Sequence, residues 1–244
     1  MSEHEPKIYP YGPLLRVAPG LYSVKGKWKR SSLGRRMTIV QTADERLAIH
    51  SAMRLKVADL EAIEDLGEVA WILIPNRFHD SDAPWFAQRY PQARVLVPRG
   101  LSRKLGRRVR VDGTLEDDWP AELDAELKRL AVSGLSIHEV VFHHAASHTL
   151  ILTDLAFNFR SSELEGRAKL FMRLNDAVNR FGPTRLLRFM FIRDRKALTA
   201  SIAKILSWDF ERVVVSHGQI LDNTGREKMH SAFKFLPDLP PLEL

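Results

Sequence analysis

Apolar and polar positions along the chain set out a succession of strands before any of its chemistry is visible. LLRVAPGLYSV holds two short β-prone runs broken at Pro19-Gly20, a turn dipeptide. MTIVQT and RLAIHS follow, split by Ala43-Asp44-Glu45, and predict a hairpin. From Lys56 to Leu66 the apolar residues Val57, Leu60, Ile63 and Leu66 recur on one helix face, and Gly67 suits the cap. The rhythm then changes. VAWILIP is a continuous apolar run, as expected of a strand covered on both faces. A loop over 76–80, a helix from Asp82 to Tyr90 and a second buried strand, ARVLVP, complete a βαβ unit with parallel pairing.

Beyond it, Arg99 to Arg107 predicts a basic helix or turn, and Ala121 to Leu127 a helical turn. Leu130 to Leu135, Ile137 to His144 and His148 to Asp154 predict strands. Glu163 to Phe181 predicts an amphipathic helix closed by Gly182-Pro183, and Lys196 to Leu206 a second, with Asp194 at its positive end. RVVVS is the last buried strand and Glu227 to Phe235 the last helix. With no repeat, linker or change of composition, the chain reads as one domain over 1–244, with irregular tails at 1–12 and at the Pro-rich 236–244. Strands first, then mixed elements, then helices around one more strand: this order predicts two sheets between helix layers.

Composition adds little to the fold and something to the setting. The 244 residues are 45% hydrophobic and 27% charged, which suits a globular protein with a full core. Cys is absent, so neither a disulfide nor a thiolate metal site exists. The start of the chain carries no signal-like apolar run and no stretch reaches the length of a membrane span, which points to a cytoplasmic protein. The formal net charge is +7. Two basic runs carry much of it, Lys25 to Arg36 and Arg99 to Arg110. Either they are solvated faces or they attract an anionic partner: a small anionic substrate, nucleic acid or an acidic membrane surface. No nucleic-acid motif accompanies them.

Candidate chemistry gathers at strand ends, where loops of an α/β fold converge. His79, His138, His144 and His217 each sit at or beside one, and Asp154 closes HTLILTD. A hairpin turning at 145–147, with His144 facing Thr149, puts Glu139 opposite Asp154 and leaves His143, His144 and His148 at the far end. Imidazole and carboxylate together suit zinc, manganese or iron, and such an ion acidifies water for hydrolysis. The contributors are His79, Asp154 and His217, with His138 or Glu139 as a fourth, and Asp80 or Glu139 as base. One divalent ion, or none, are both compatible with this set. No G-x-S-x-G elbow, G-x-G-x-x-G or phosphate-cradling loop is present, so those chemistries have no motif here.

Taken together, RVAPGLYSV, ILIPNRFHDSDAPWFAQRYPQARVLVP, HTLILTDLAFNF and RVVVSHGQI resemble the metallo-β-lactamase fold superfamily. With the run GPTRLLRFMF–IRDRKALTASIAKIL, the chain more closely resembles the DUF4336 family. The resemblance covers most of the chain and implies a four-layer αββα sandwich. It implies that Asp154 takes the place of the bridging aspartate and His217 that of the final histidine ligand. The family pattern H-x-H-x-D-H is not kept. With Pro75 at its first position, Arg77, His79 and Asp80 fall on the others; with Asn76 there, Phe78, Asp80 and Ser81 do, and His79 misses. His138 lies where the middle histidine belongs. The resemblance therefore implies a depleted site: a mononuclear metal-dependent hydrolase, or a non-catalytic scaffold that binds an anionic partner through its basic surface.

Overall fold

A computed structural model describes residues 7–27 and 33–242. Residues 1–6, 28–32, 243 and 244 lie outside it, and with them the start of the N-terminal tail, the middle of the first basic run and the last two residues of the Pro-rich tail. The first half of the chain forms one mixed sheet. β1 (Tyr11–Ala18), β2 (Leu21–Lys27), β3 (Gly34–Gln41) and β4 (Arg46–His50) pair antiparallel in that order. After α1 (Val57–Glu64) the sheet continues in parallel with β5 (Glu68–Leu73), α2 (Ala83–Arg89) and β6 (Arg94–Val97). This is the βαβ unit that the two apolar runs predict. A short turn and α3 (Ser102–Leu105) follow, then β7 (Gly113–Thr114) on the sheet edge.

The second half forms a smaller sheet. α4 (Ala121–Asp124) leads to β8 (Leu127–Ala131), β9 (Val140–His144) and β10 (Thr149–Leu152). α5 (Gly166–Leu174), a π turn (Leu187–Phe191) and α6 (Arg195–Leu206) intervene before β11 (Arg212–Val215), which pairs parallel with β10, and α7 (Gly225–Phe233) ends the regular structure. The order is β11-β10-β9-β8. In the β9–β10 hairpin His144 pairs with Thr149, the register inferred from the sequence.

Three apolar layers separate four layers of structure. Ile39, Ile49 and Ile72 pack with Leu60 and Phe86 from α1 and α2. Leu21, Trp71, Phe142, Ile151 and Val214 fill the space between the sheets. Leu152 and Val215 pack with Ile202 and Phe233 from α6 and α7. The result is an α/β sandwich of two mixed sheets between helices, the arrangement that buries both faces of each sheet.

Two sequence expectations need correction. The predicted helix over 163–181 is confined to Gly166–Leu174. Its apolar spacing continues, but Asp176 and Asn179 take left-handed conformations, φ 55° in each, which no α-helix continues through. The strand placed at Leu130 to Leu135 lies earlier, at Leu127–Ala131. The helix expected to open near Asp194 does so: its Oδ1 accepts from Ala197 N at 3.0 Å.

His50, the last residue of β4, is buried against the edge of Phe142 with no hydrogen-bond partner for either ring nitrogen. Burial first, then the neighbouring His79, pushes its pKa down to about 3. The folded state keeps this imidazole neutral while the unfolded chain protonates it near pH 6.5. Stability from this group is therefore complete above that pH and lost as pH falls toward 3. His50→Leu removes this term. It is expected to be close to neutral at pH 7 and to gain about 2 kcal/mol over the native chain at pH 5. Urea unfolding at the two pH values checks this; equal losses for both proteins on acidification contradict it.

Candidate metal centre

The parallel pairing of β10 with β11 places Leu152 beside Val215. Two residues beyond each strand end stand Asp154 and His217, so the chain leaves the same sheet edge twice and brings both side chains to one rim. In the larger sheet His50 pairs with Leu73, and the segments after them, Ser51 and the loop over 75–79, leave at the corresponding edge. That loop is tied across the sheets: Val140 N donates to Pro75 O at 2.9 Å and Arg77 N to Ile137 O at 3.2 Å.

His79, Asp154 and His217 meet there. One ligating atom from each lies within 4.8 Å of the other two, and among the described residues no other His, Asp or Glu joins this group. Asp154 stands between the imidazoles, with Oδ2 3.3 Å from His79 Nε2 and Oδ1 3.3 Å from His217 Nε2. The far nitrogen of each ring is held from behind. His217 Nδ1 lies 2.6 Å from Gly34 O, a carbonyl that can only accept, so Nδ1 carries a proton and Nε2 is the nitrogen turned toward Asp154. His79 Nδ1 shares a 2.6 Å hydrogen bond with the Ser51 hydroxyl. Phe157 stacks on His217 at 5.0 Å and 9°.

A second ring of contacts fixes Asp154. Asn76, fully buried, donates through Nδ2 to Asp154 Oδ2 at 2.7 Å and to Thr153 Oγ1 at 2.9 Å, while its Oδ1 accepts from Phe78 N. Glu139, also fully buried, accepts from Thr153 N at 2.8 Å and from Asp154 N at 2.9 Å. Arg36 clips the sheets together, donating to Ser23 Oγ, Val215 O and Gly218 O at 3.0–3.1 Å. Gly218, φ 107°, is required beside His217: a Cβ there would stand 2.2 Å from Asn158 O.

Charge follows geometry. Burial works to raise the Asp154 carboxyl, but the two imidazoles overcome it and hold the group well below the usual carboxylate range. Burial is the largest influence on His217 and pulls it down, but the hydrogen bond and charge of Asp154, with Gly34 O and Glu139, together outweigh it and leave the group above an ordinary histidine. His79 ends below one, because its burial outweighs Asp154. Glu139 is pushed up to about 7, by burial and then by Asp154, against the backbone N–H groups that favour its charged form.

The other sequence candidates lie elsewhere. Glu139 faces Asp154 as the hairpin count places it, but it supports the backbone there and does not line the pocket. His138 is exposed, with φ 56° and its ring over Gly100. Both residues precede β9, and the left-handed backbone at His138 leaves its ring outside while Glu139 is buried. Asp80 pairs with Arg108. His143 bonds Asp209 O and stacks on Trp208, and His144 bonds Ser147 Oγ, so both serve the far end of the hairpin. Ser51, Asn76 and Arg36 are the participants that residue types alone do not mark. Only Asn76 carries a signal, as the occupant of the first motif position in one register.

His79, Asp154 and His217 open into a cavity of about 380 Å³. Its walls are apolar: Leu33, Ile137, Phe157, Met172, Leu187 and Phe191 among others. The cation among its lining residues, Arg35, pairs with Asp82. Part of each basic run is partnered within the fold, while Lys27, Arg103, Lys104 and Arg107 are exposed. Lys25 pairs with Glu163, Arg36 is buried, and Arg99, Arg108 and Arg110 pair with Asp117, Asp80 and Asp112.

Comparison with known proteins then defines the class. No family model matches the chain, and no curated protein is similar to it in sequence. Solved structures do match over almost its whole length. The DIM-1 metallo-β-lactamase exposed to ceftazidime aligns at a TM-score of 0.64 and 13% identity, covering 94% of this chain and 99% of its own. The FIM-1 metallo-β-lactamase of Pseudomonas aeruginosa in its mono-zinc form aligns at 0.63 and 11%, covering 94% and 97%. The metal-soaked Flv1 flavodiiron core of Synechocystis sp. aligns at 0.65 and 11%, covering 94% of this chain and 61% of that one. The chain has the metallo-β-lactamase fold.

Proposed function

We propose that this protein is a mononuclear metal-dependent hydrolase of the metallo-β-lactamase fold, with a sequence that resembles the DUF4336 family, that acts on a small substrate within one domain spanning 1–244. The observation that supports it is the convergence of His79, Asp154 and His217 on the floor of a cavity. The donor set fits a divalent ion: two imidazole nitrogens and a carboxylate converge, and Ser51 and Gly34 engage the far nitrogen of each ring, as second partners of metal-bound histidines do. Zinc, manganese and iron all accept such ligands, and the mono-zinc and metal-soaked structural neighbours point the same way. When bound, the ion supplies Lewis acidity, polarising a substrate carbonyl and acidifying water.

The chain's own residues do the rest. Asn76 and Glu139 orient Asp154, Ser51 and Gly34 orient the imidazoles, and Phe157 shields one face of His217. The apolar walls exclude bulk water and take the body of the substrate, while the hydrolysable group faces the ligands. Water adds to the carbonyl carbon, the bond to the leaving group breaks, and the leaving group takes a proton. Glu139 is a positioning residue here, and the Asp80 carboxylate is held by Arg108. A scaffold that only binds an anionic partner is the less supported reading, since it leaves the convergence of His79, Asp154 and His217 on a cavity without a use.

Protein purified without chelator is expected to carry about one equivalent of transition metal, and added zinc or manganese to raise the Tm of stripped protein. Less than about a tenth of an equivalent, with no change in Tm at an excess of either ion, overturns the proposal.

A further inference from the structure

Large apolar side chains are not scattered evenly over this surface. Of the ten that are exposed among the described residues, seven lie around the cavity mouth: Phe78, three on α5 and three between 186 and 190. α5 is apolar on both sides. Met172 faces inward and lines the cavity, and at about 100° per residue Leu170 and Leu174 stand on the opposite side, 60% and 64% exposed. The π turn beside it projects Phe189 and Met190, 74% and 57% exposed, while Leu187 and Phe191 of the same turn line the cavity. The two segments form one rim, because Arg185 N and Leu186 N both bond Asn175 at the end of α5. Phe78 joins it through Phe191, with ring centroids 5.8 Å apart.

Cations accompany these side chains. Between 166 and 196 the chain carries nine Lys or Arg against two acidic residues. Arg167, Arg173 and Arg185 are exposed beside the apolar groups. Apolar side chains projecting from a basic rim are the composition of a segment that lies in a lipid–water interface, where the apolar groups enter the acyl boundary and the cations meet anionic headgroups. A protein partner would need an apolar patch with acidic surroundings; this chain's own surface is basic, which disfavours a second copy.

We propose that the cavity mouth, α5 and the π turn together, is a docking surface for an anionic phospholipid bilayer, which would seat the open end of the cavity on the membrane. No helix among the described residues is long and apolar enough to cross a membrane, so the contact is interfacial. It involves none of the three metal ligands and stands apart from the hydrolase reading.

Co-flotation of the full chain with vesicles tests it. One set is phosphatidylcholine alone; in the other about a third is phosphatidylglycerol. The native chain is expected to bind the anionic vesicles on the order of tenfold more tightly, and less so as salt rises. Phe189→Asp/Met190→Asp is expected to weaken this at least about tenfold, and Arg167→Glu/Arg173→Glu to remove the preference for anionic lipid. Both pairs are exposed, and an unchanged Tm shows that the fold is kept. His217→Ala is expected to bind vesicles as the native chain does even with no metal bound, so the two proposals fail separately. Absent or equal binding to the two vesicle types overturns the inference. So does unaltered binding by both double variants, or self-association that Phe189→Asp/Met190→Asp dissolves.

Discussion

Asp154→Asn is expected to leave a folded protein that no longer holds a metal ion. The side chains are isosteric, and the new one can satisfy its neighbours. Its carbonyl oxygen can accept from Asn76 Nδ2, now 2.7 Å from Asp154 Oδ2, and its NH₂ can donate to His217 Nε2, now 3.3 Å from Oδ1. That arrangement fills the lone pair His217 needs for a ligand and removes the negative charge between the imidazoles. Metal affinity is expected to fall by on the order of a hundredfold or more, above the loss usual for an outer partner of a ligand. The drop in metal content should come with a Tm insensitive to zinc. Full metal content in this variant contradicts the role given to Asp154.

Glu139→Ala is expected to be the most destabilising single change near the site. The carboxylate is the acceptor for two buried backbone N–H groups, those of Thr153 and Asp154, and lies 3.3 Å from Asn76 Nδ2. Removing it leaves both donors unsatisfied in a dry interior and opens a cavity, a loss of about 3–5 kcal/mol. Glu139→Gln keeps one acceptor and the volume, and about half of that loss is expected. In both variants Asp154 loses its backbone anchor, so metal affinity should weaken together with stability, by on the order of tenfold or more. Urea unfolding and metal titration on the same samples measure the two effects. A loss below about 1 kcal/mol with unchanged metal affinity sinks the positioning role.

How much of this is legible in the sequence depends on whether a residue acts through local pattern or through distant contact. The βαβ unit is legible because VAWILIP and ARVLVP are apolar on both faces. The register of the second hairpin is legible because a tight turn at 145–147 leaves one sensible pairing, and this pairing sets Glu139 against Asp154. His138 defeats the same count, since the count gives depth along a strand and says nothing of the side to which a residue turns. Arg36 reads as one more cation in a basic run, yet it is buried and bridges the sheets, a partnership across 182 positions to Gly218. Ser51 and Asn76 are ordinary residues until the fold sets them behind His79 and Asp154. The apolar spacing over 163–181 overstates its helix because periodicity cannot register the left-handed residues at 176 and 179. The apolar residues at 186–191 do not reveal their faces in sequence, because the π turn directs Leu187 inward and Phe189 and Met190 outward.

The central claim is that three side chains brought together from two sheets hold a single ion. X-ray absorption at the zinc edge, on protein loaded with one equivalent, tests it most directly. Two imidazole nitrogens and carboxylate oxygen are expected around the ion, with no neighbouring metal and with loss of the imidazole signature in His79→Ala and His217→Ala. A shell of oxygen alone, a second metal at close range, or a spectrum unchanged by those substitutions would place the ion elsewhere and leave the convergence of His79, Asp154 and His217 as a buried ion-pair cluster.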